Sequence, residues 1–239
     1  KLFESMPAAH GVFLAESISG DSSFSHSTAF CQAIERAAKI EAPLRARMIR
    51  TLLLELERIY NHIADTGAIA TDVAFVVANM HAMQLKEMVL QLNEHLAGNR
   101  LLRGMNCIGG VRRDLTRDQI QRLDAVMTVV GDQFEKLMDL ILSSASTVDR
   151  LERTGILTPE IAKDLGVVGV AGRASGINLD VRRDHPYAFY DQVTFRVPVY
   201  TEGDVLHRLK ARADEVRESL AIIQQVVKAM ASRKTSASN

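Results

Sequence analysis

The chain has 239 residues, and its 29 Lys plus Arg are balanced by 29 Asp plus Glu, so a zero formal net charge leaves no global basic field to hold a polyanion and excludes nucleic acid as an expected partner. Its two cysteines, Cys31 and Cys107, lack CxxC or zinc-ligand spacing, which excludes a disulfide framework and a structural zinc site and makes a reducing cytoplasm the default. The length is sufficient for a sizeable core, while apolar runs such as Leu52–Leu54 and Val73–Ala78 fall far short of the roughly 20 residues that span a bilayer.

Two short helices are expected first, over 2–17 and 27–39, with Gly20-Asp21-Ser22-Ser23 as the break between them. Ile49, Leu52, Leu53, Leu56, Ile59, Tyr60 and Ile63 then recur at helical spacing, with Pro43 placed to start that helix and Gly67 near its end. Asp72 is expected to cap a second long helix whose buried stripe includes Val76, Met80, Leu85, Met88, Val89, Leu92 and Leu96, ending at Gly98-Asn99. Thr116 with Gln119 reads as a capping box, opening a helix of more than eight turns from Ile120 to Leu151 in which Ser144 alone interrupts the apolar register. Thr201 and Asp204 read as a second capping box before a final helix carrying Leu206, Leu209, Ala213, Val216, Leu220, Ile223, Val227 and Met230. Between the last two, Gly166, Gly169, Gly172 and Gly176 lower helix propensity, and Val193–Val197 alternates as a short strand does. The expected fold is mainly α: a bundle of about four long helices plus shorter ones, with a loop-rich segment over 166–200 containing a short strand. One helical domain is expected over 1–239, with 234–239 as a polar tail.

The tetrapeptide Val-Arg-Arg-Asp occurs twice, at 111–114 and 181–184, each time in chain expected to be irregular. Two guanidiniums beside a carboxylate fit two readings: bidentate pairs that tie a loop to neighbouring helices, or a cationic wall for an anionic ligand or a neighbouring redox centre. His26, just after a Ser-rich turn, fits either a helix-start partner or a ligand or proton-transfer group. His62, among Glu57, Arg58 and Asp65, reads as part of a buried hydrogen-bond network, whereas His10, His81, His95 and His207 read as ordinary surface residues. The glycine-rich run 166–176 has neither GxGxxG nor P-loop spacing, and no hydrolase signature is present.

Four blocks carry a family resemblance: Ala15-Glu16-Ser17-Ile18-Ser19-Gly20 through His26-Ser27; Pro43-Leu44-Arg45-Ala46-Arg47 through Glu57-Arg58-Ile59-Tyr60-Asn61-His62; Asn106-Cys107-Ile108-Gly109-Gly110-Val111-Arg112-Arg113-Asp114; and Arg173-Ala174-Ser175-Gly176 through Arg182-Arg183-Asp184-His185-Pro186-Tyr187, then Glu202-Gly203-Asp204. In order and spacing they resemble the large subunit shared by energy-converting nickel-iron hydrogenases and respiratory complex I, and are most similar to the formate hydrogenlyase large subunit.

The resemblance implies a helical bundle that docks on an iron-sulfur subunit, with Asp21, Ser22, His26, Arg45, Arg112, Arg113, Asp114, Arg182, Arg183 and Asp184 facing that partner's cluster or an acceptor. Hydrogenase members carry Cys-Gly-x-Cys where this chain has Ser19-Gly20-Asp21-Ser22. A Ser hydroxyl is neither soft nor ionised near neutral pH, whereas a thiol with a pKa of about 8.5 is within reach of ionisation. No metal and no cofactor are therefore expected in this chain; an iron-sulfur cluster is expected in the partner, and a quinone is the alternative ligand. Complex I places a quinone-contacting Tyr at the position nearest Gly20 or Asp21, so that contact is not carried over. The chain is expected to be the central part of a larger subunit, cytoplasmic and peripheral to the inner membrane through partner subunits. In isolation its partner-facing helices could pair as a homodimer.

Overall fold

A computed structural model describes residues 2–235, with side chains described through Ser232. Four long helices dominate: α3 (Leu44–Asp72), α4 (Val76–Ala97), α5 (Arg117–Ser143) and α10 (Val205–Thr235). They close a ring in which α3 packs on α4, α4 on α5, α5 on α10 and α10 back on α3. Their apolar stripes meet inside it, with Leu52, Leu53, Leu56, Ile59, Ile63, Val89, Leu123, Val130, Phe134, Leu209, Val216 and Ile223 all withdrawn from solvent. Each such side chain contributes about 1.5–3 kcal/mol relative to an exposed one, which is why the helical period dictates the fold. No helix among the described residues is long and apolar enough to cross a membrane.

Local chemistry sets the helix ends. Pro43 is the N-cap of α3, and Gly98, with φ +71°, closes α4 in the left-handed region that an L side chain resists. Thr116 and Gln119 form the expected capping box, each side chain bonding the other's backbone N–H. Gly67 does not end α3; a Cβ there would lie 2.6 Å from Asn79 Oδ1 and 2.8 Å from Ala82 Cβ, so this glycine lets α4 approach closely.

Several expectations are corrected. Asp72 is the last residue of α3 and caps nothing, since α4 begins after Phe75 without a side-chain cap. The helix from Thr116 breaks at Ser144, whose extended backbone (φ −81°, ψ 99°) separates α5 from α6 (Ala145–Leu151), because a serine-rich run competes for backbone hydrogen bonds. The last helix starts on Asp204 itself, whose carboxylate accepts the His207 N–H at 2.8 Å; Thr201 takes no part. The early helices are α1 (Ala8–Ala15) and α2 (Ser23–Ala38).

Residues 193–197 form no strand. This segment runs over α10, whose side chains take the place of a neighbouring strand: Gln225 accepts the Thr194 N–H (2.9 Å) and donates to its carbonyl (2.7 Å), while Glu218 accepts the Arg196 N–H (2.9 Å). The sheet is instead a two-stranded hairpin, β1 (Asn106–Cys107) antiparallel to β2 (Gly110–Val111), which carries the first Val-Arg-Arg-Asp. The remaining elements are short: α7 (Pro159–Asp164), α8 (Gly169–Ala174), α9 (Val181–Asp184) and a 3-10 turn at Tyr190–Gln192. The second Val-Arg-Arg-Asp is thus one helical turn, not irregular chain.

Candidate functional site

The serine-rich turn joins α1 to α2 and is gripped from below by one face of α3. Glu57 accepts the N–H groups of Phe24 (2.7 Å) and Ser25 (2.9 Å), Tyr60 donates its hydroxyl to the Asp21 carbonyl (2.6 Å), and Asn61 donates to the same carbonyl (2.8 Å). Positions 57, 60 and 61 share a helical face, so a single stripe fixes the turn. Asn106 in β1 adds a fourth hold, donating to Phe24 O, Ser27 Oγ (2.9 Å) and Thr28 Oγ1 (2.8 Å). Arg103 donates to Ser23 Oγ at 3.2 Å, and the Gly104 N–H to Glu16 at 2.8 Å. Arg112 lies over the Phe13 ring, 4.6 Å from its centre. Asp21, Arg103 and Arg112 are exposed and Ser22 half-buried, so the turn presents polar and cationic groups on one side of the molecule.

The first Val-Arg-Arg-Asp is held by charge pairs. Arg50, fully buried, donates twice to Glu35 (2.7 and 3.0 Å) and to the carbonyls of Cys107 and Gly110 (both 2.9 Å), while Glu35 accepts the Gly109 N–H at 2.7 Å. Burial alone raises the Glu35 carboxyl, yet Arg50 and that N–H keep it below the usual carboxylate range. Arg45 pairs with Asp114 at 2.9 Å on the surface. Arg113 sits against Gly98, at the C-terminal end of α4, where a cation is favoured.

The second copy points inward. Arg182 is fully buried, bonding Asp180 through Nε (3.0 Å) and Nη2 (2.7 Å) and Glu55 through Nη1 (3.1 Å). Glu55 also accepts the hydroxyls of Tyr190 and Ser219. Beside it, Glu215 binds Arg58 (3.1 Å), His62 (2.8 Å) and Arg173 (2.7 Å). Three carboxylates and three guanidiniums balance when His62 is neutral, and burial does push the His62 imidazole below its ordinary value despite Glu215. A buried network around His62 is thus present and includes the expected Arg58, but its carboxylate is Glu215: Glu57 bonds the serine-rich turn instead, and Asp65 pairs with Arg212 at 2.9 Å. Arg183 pairs locally with Asp184 (2.7 Å) on the surface.

His26 faces elsewhere. It lines a cavity of about 470 Å³ between α2 and the 181–187 segment, with Ser25, Ala29, Leu54, His185 and Tyr187. A second cavity of about 500 Å³ continues along α2 past Gln32 and Arg36 to Lys39 and Arg47. The ten candidate residues therefore occupy separate places: Asp21, Ser22 and Arg112 around the turn, Arg113 at the end of α4, Arg45 with Asp114, His26 at the cavity, Arg182 in the core, and Arg183 with Asp184 outside it.

Positions 19 and 22 offer hydroxyls and backbone carbonyls, with Ser22 O accepting from Ser25 Oγ at 3.0 Å, a donor set that does not fit a soft nickel-iron centre. Burial pushes the Cys31 thiol up to about 11, out of the range of an available thiolate. Among the described residues no three His, Cys, Asp or Glu side chains group so as to hold a metal ion.

Sequence reasoning missed Glu55, Glu215, Arg50, Arg103 and Tyr190, and it quoted Glu57 and Arg173 without the roles they take, Glu57 on the turn and Arg173 on Glu215. A signal existed for some of them: Glu55 lies three residues after Leu52 and four before Ile59, and Glu215 falls between Ala211 and Ser219, so each interrupts a buried stripe. His207, read as a surface residue, is half-buried and bonded to Asp204 at 2.7 Å.

Residues 72–239 match the family model described as Respiratory-chain NADH dehydrogenase, 49 Kd subunit. The chain is similar to the D 2 subunit of NADH-quinone oxidoreductase from Rhizobium etli (35% identity, 86% of this chain and 51% of that protein). It is also similar to formate hydrogenlyase subunit 5 of Escherichia coli K12 (36% identity, 88% of this chain and 37% of that protein). The C/D subunit of NADH-quinone oxidoreductase from Bacteroides fragilis is 37% identical over 83% of this chain and 38% of its own length. Among solved structures, a chain of the membrane-bound sulfane sulfur reductase, an archaeal respiratory membrane complex, superposes with a TM-score of 0.90 at 28% identity, covering 95% of this chain and 61% of that one. The chain spans about half the length, or less, of the curated relatives named here. With these motifs on this bundle, the chain belongs to the family of the respiratory-chain NADH dehydrogenase 49 Kd subunit.

Proposed function

We propose that this chain is a large-subunit homologue that binds no redox metal of its own and serves as a structural and electron-path component of a membrane-associated oxidoreductase complex. The observation that carries this reading is the donor set of the turn: hydroxyls at Ser19 and Ser22 on a segment fixed by Glu57, Tyr60, Asn61 and Asn106. Such a turn offers a solvent-facing surface without soft ligands, held in place by these side chains. Asp21, Ser22 and the exposed Arg103 and Arg112 support docking of an iron-sulfur subunit there, where a guanidinium stabilises the reduced, more negative cluster. The resemblance to a chain of a respiratory membrane complex, with no described helix able to cross a membrane, supports a peripheral position reached through partner subunits, which we place on the cytoplasmic side of the inner membrane.

Metal analysis and optical spectra of the full-length protein purified with its neighbours test the proposal. The expected result is no stoichiometric nickel in this subunit, and finding it would overturn the reading. Arg112→Ala is expected to lower the midpoint potential of the partner's cluster; an unmoved potential counts against the electron-path role.

A second reading is favoured by the cavity at His26. Its volume of about 470 Å³ lies in the range of small-molecule sites, and Ala29, Ala33, Leu54 and Val181 give it an apolar wall, as a quinone or similar small acceptor requires. Ala29→Trp is expected to abolish saturable binding of a short-chain quinone while leaving the helical content intact. Binding that persists in that variant would remove this cavity from consideration.

A further inference from the structure

Glu57 differs from the other buried carboxylates of α3 and α10. Glu55 and Glu215 face guanidiniums within hydrogen-bond distance, whereas Glu57, only 4% exposed, has two backbone amides as its partners, Phe24 N–H on Oε2 and Ser25 N–H on Oε1. Those amides belong to the first turn of α2, whose N-cap residue Ser22 makes no side-chain capping bond. Glu57 therefore caps α2 from a neighbouring helix, and both of its oxygens are needed to do so.

We propose that Glu57 is a proton-bearing positioning residue: as a carboxylate it holds the first turn of α2 onto α3, and on taking up a proton it releases one of its two amides and shifts the turn that carries Asp21 and Ser22. The proton comes from water and forms an O–H bond on one carboxyl oxygen. That oxygen then presents a hydrogen to an N–H donor, so one hydrogen bond breaks and the other remains.

The groups facing Glu57 make its charge state responsive. Burial, the largest influence, pushes its carboxyl up to about 7, against the pull of Ser25, the two amides and Arg58. Arg58 is committed to Glu215 at 3.1 Å, Tyr60 is neutral and bonded to Asp21 O, and Asp21 adds negative charge at the turn. From the loop after α4, Arg103 reaches Ser23 next to the cap. A proton taken up near neutral pH is thereby coupled to the geometry of the turn. Its bearing on electron transfer rests on the function proposed above, which metal analysis tests separately.

Amide hydrogen exchange on the whole chain between pH 5.5 and 8.5, corrected for intrinsic exchange rates, tests the coupling. Protection of the Phe24 and Ser25 amides should be roughly three- to tenfold higher at the alkaline end, the effect of one net hydrogen bond. Glu57→Gln, uncharged throughout, should show lower protection with no pH dependence, while Glu57→Asp should keep a pH dependence with a displaced midpoint. Protection that is flat with pH in the unsubstituted chain, which needs no variant to fold, or a Gln variant that keeps the original profile, would overturn the proposal and reduce Glu57 to a fixed cap.

Discussion

Arg182 shows what a single residue contributes in this core. It neutralises Asp180 and Glu55 at once and stacks over Phe195, 4.7 Å from the ring centre, so its removal strands a buried carboxylate. Arg182→Met is expected to cost about 3–5 kcal/mol by denaturant unfolding, and adding Glu55→Gln should recover part of that because the uncompensated charge goes with it. Sequence repetition flagged Arg182 and Arg183 alike, since a tetrapeptide pattern is silent about which of two adjacent side chains turns inward. The pH dependence carries two opposite signs. Arg58, His62 and Arg173 overcome burial to hold Glu215 far below the carboxylate range, so its contribution is present above the ordinary carboxylate value and lost in acid. Glu57 is raised to about 7 because burial disfavours its charge, so its linkage contribution to global stability is full below about 4.5 and fades as pH rises through 7, opposite in sign to the local hold on the two amides, which only the carboxylate makes in full. Glu215→Gln should flatten the acid limb of the stability profile, and Glu57→Gln the limb between pH 4.5 and 7. Unchanged slopes would mean that other groups dominate.

At the scale of elements, the four long helices were legible because burial repeats every 3.6 residues and each stripe meets another. Their ends were less so, since a cap depends on which donor a side chain reaches. Asp204 shows this: it accepts the His207 N–H (2.8 Å) and the Arg153 N–H (2.9 Å), joining the start of α10 to the end of the α6 segment. Asp204→Ala is expected to lower stability by about 1–2 kcal/mol, more than Thr201→Ala, which the capping-box reading would have ranked equally. At the α3–α4 crossing, Gly67→Ala must displace Asn79 and Ala82 and should cost about 1–3 kcal/mol, measured as a shift of the urea midpoint. The misread strand at 193–197 has a plain cause: its alternation records one face against the core, and α10 side chains supply the partners that a sheet would have given.

For the whole molecule, the α3–α4–α5–α10 ring is a frame on which two surfaces are set, the turn around Asp21 and Ser22 and the cavity around His26. The proposed roles separate at this scale, since Arg112→Ala addresses the first surface and Ala29→Trp the second. The sequence by itself determined the mainly helical class, the positions of the long helices, the zero net charge and the oxygen side chains at 19 and 22. All of these follow from residue type and local period. Only the tertiary structure decided which charges lie in the core and which carboxylate grips the turn. Glu55 meets Arg182 across 127 residues and Ser219 across 164, and Glu57 meets Phe24 across 33. An ion pair at such separation leaves no periodic trace in the chain; its geometry exists only after the helices pack, when burial makes pairing obligatory.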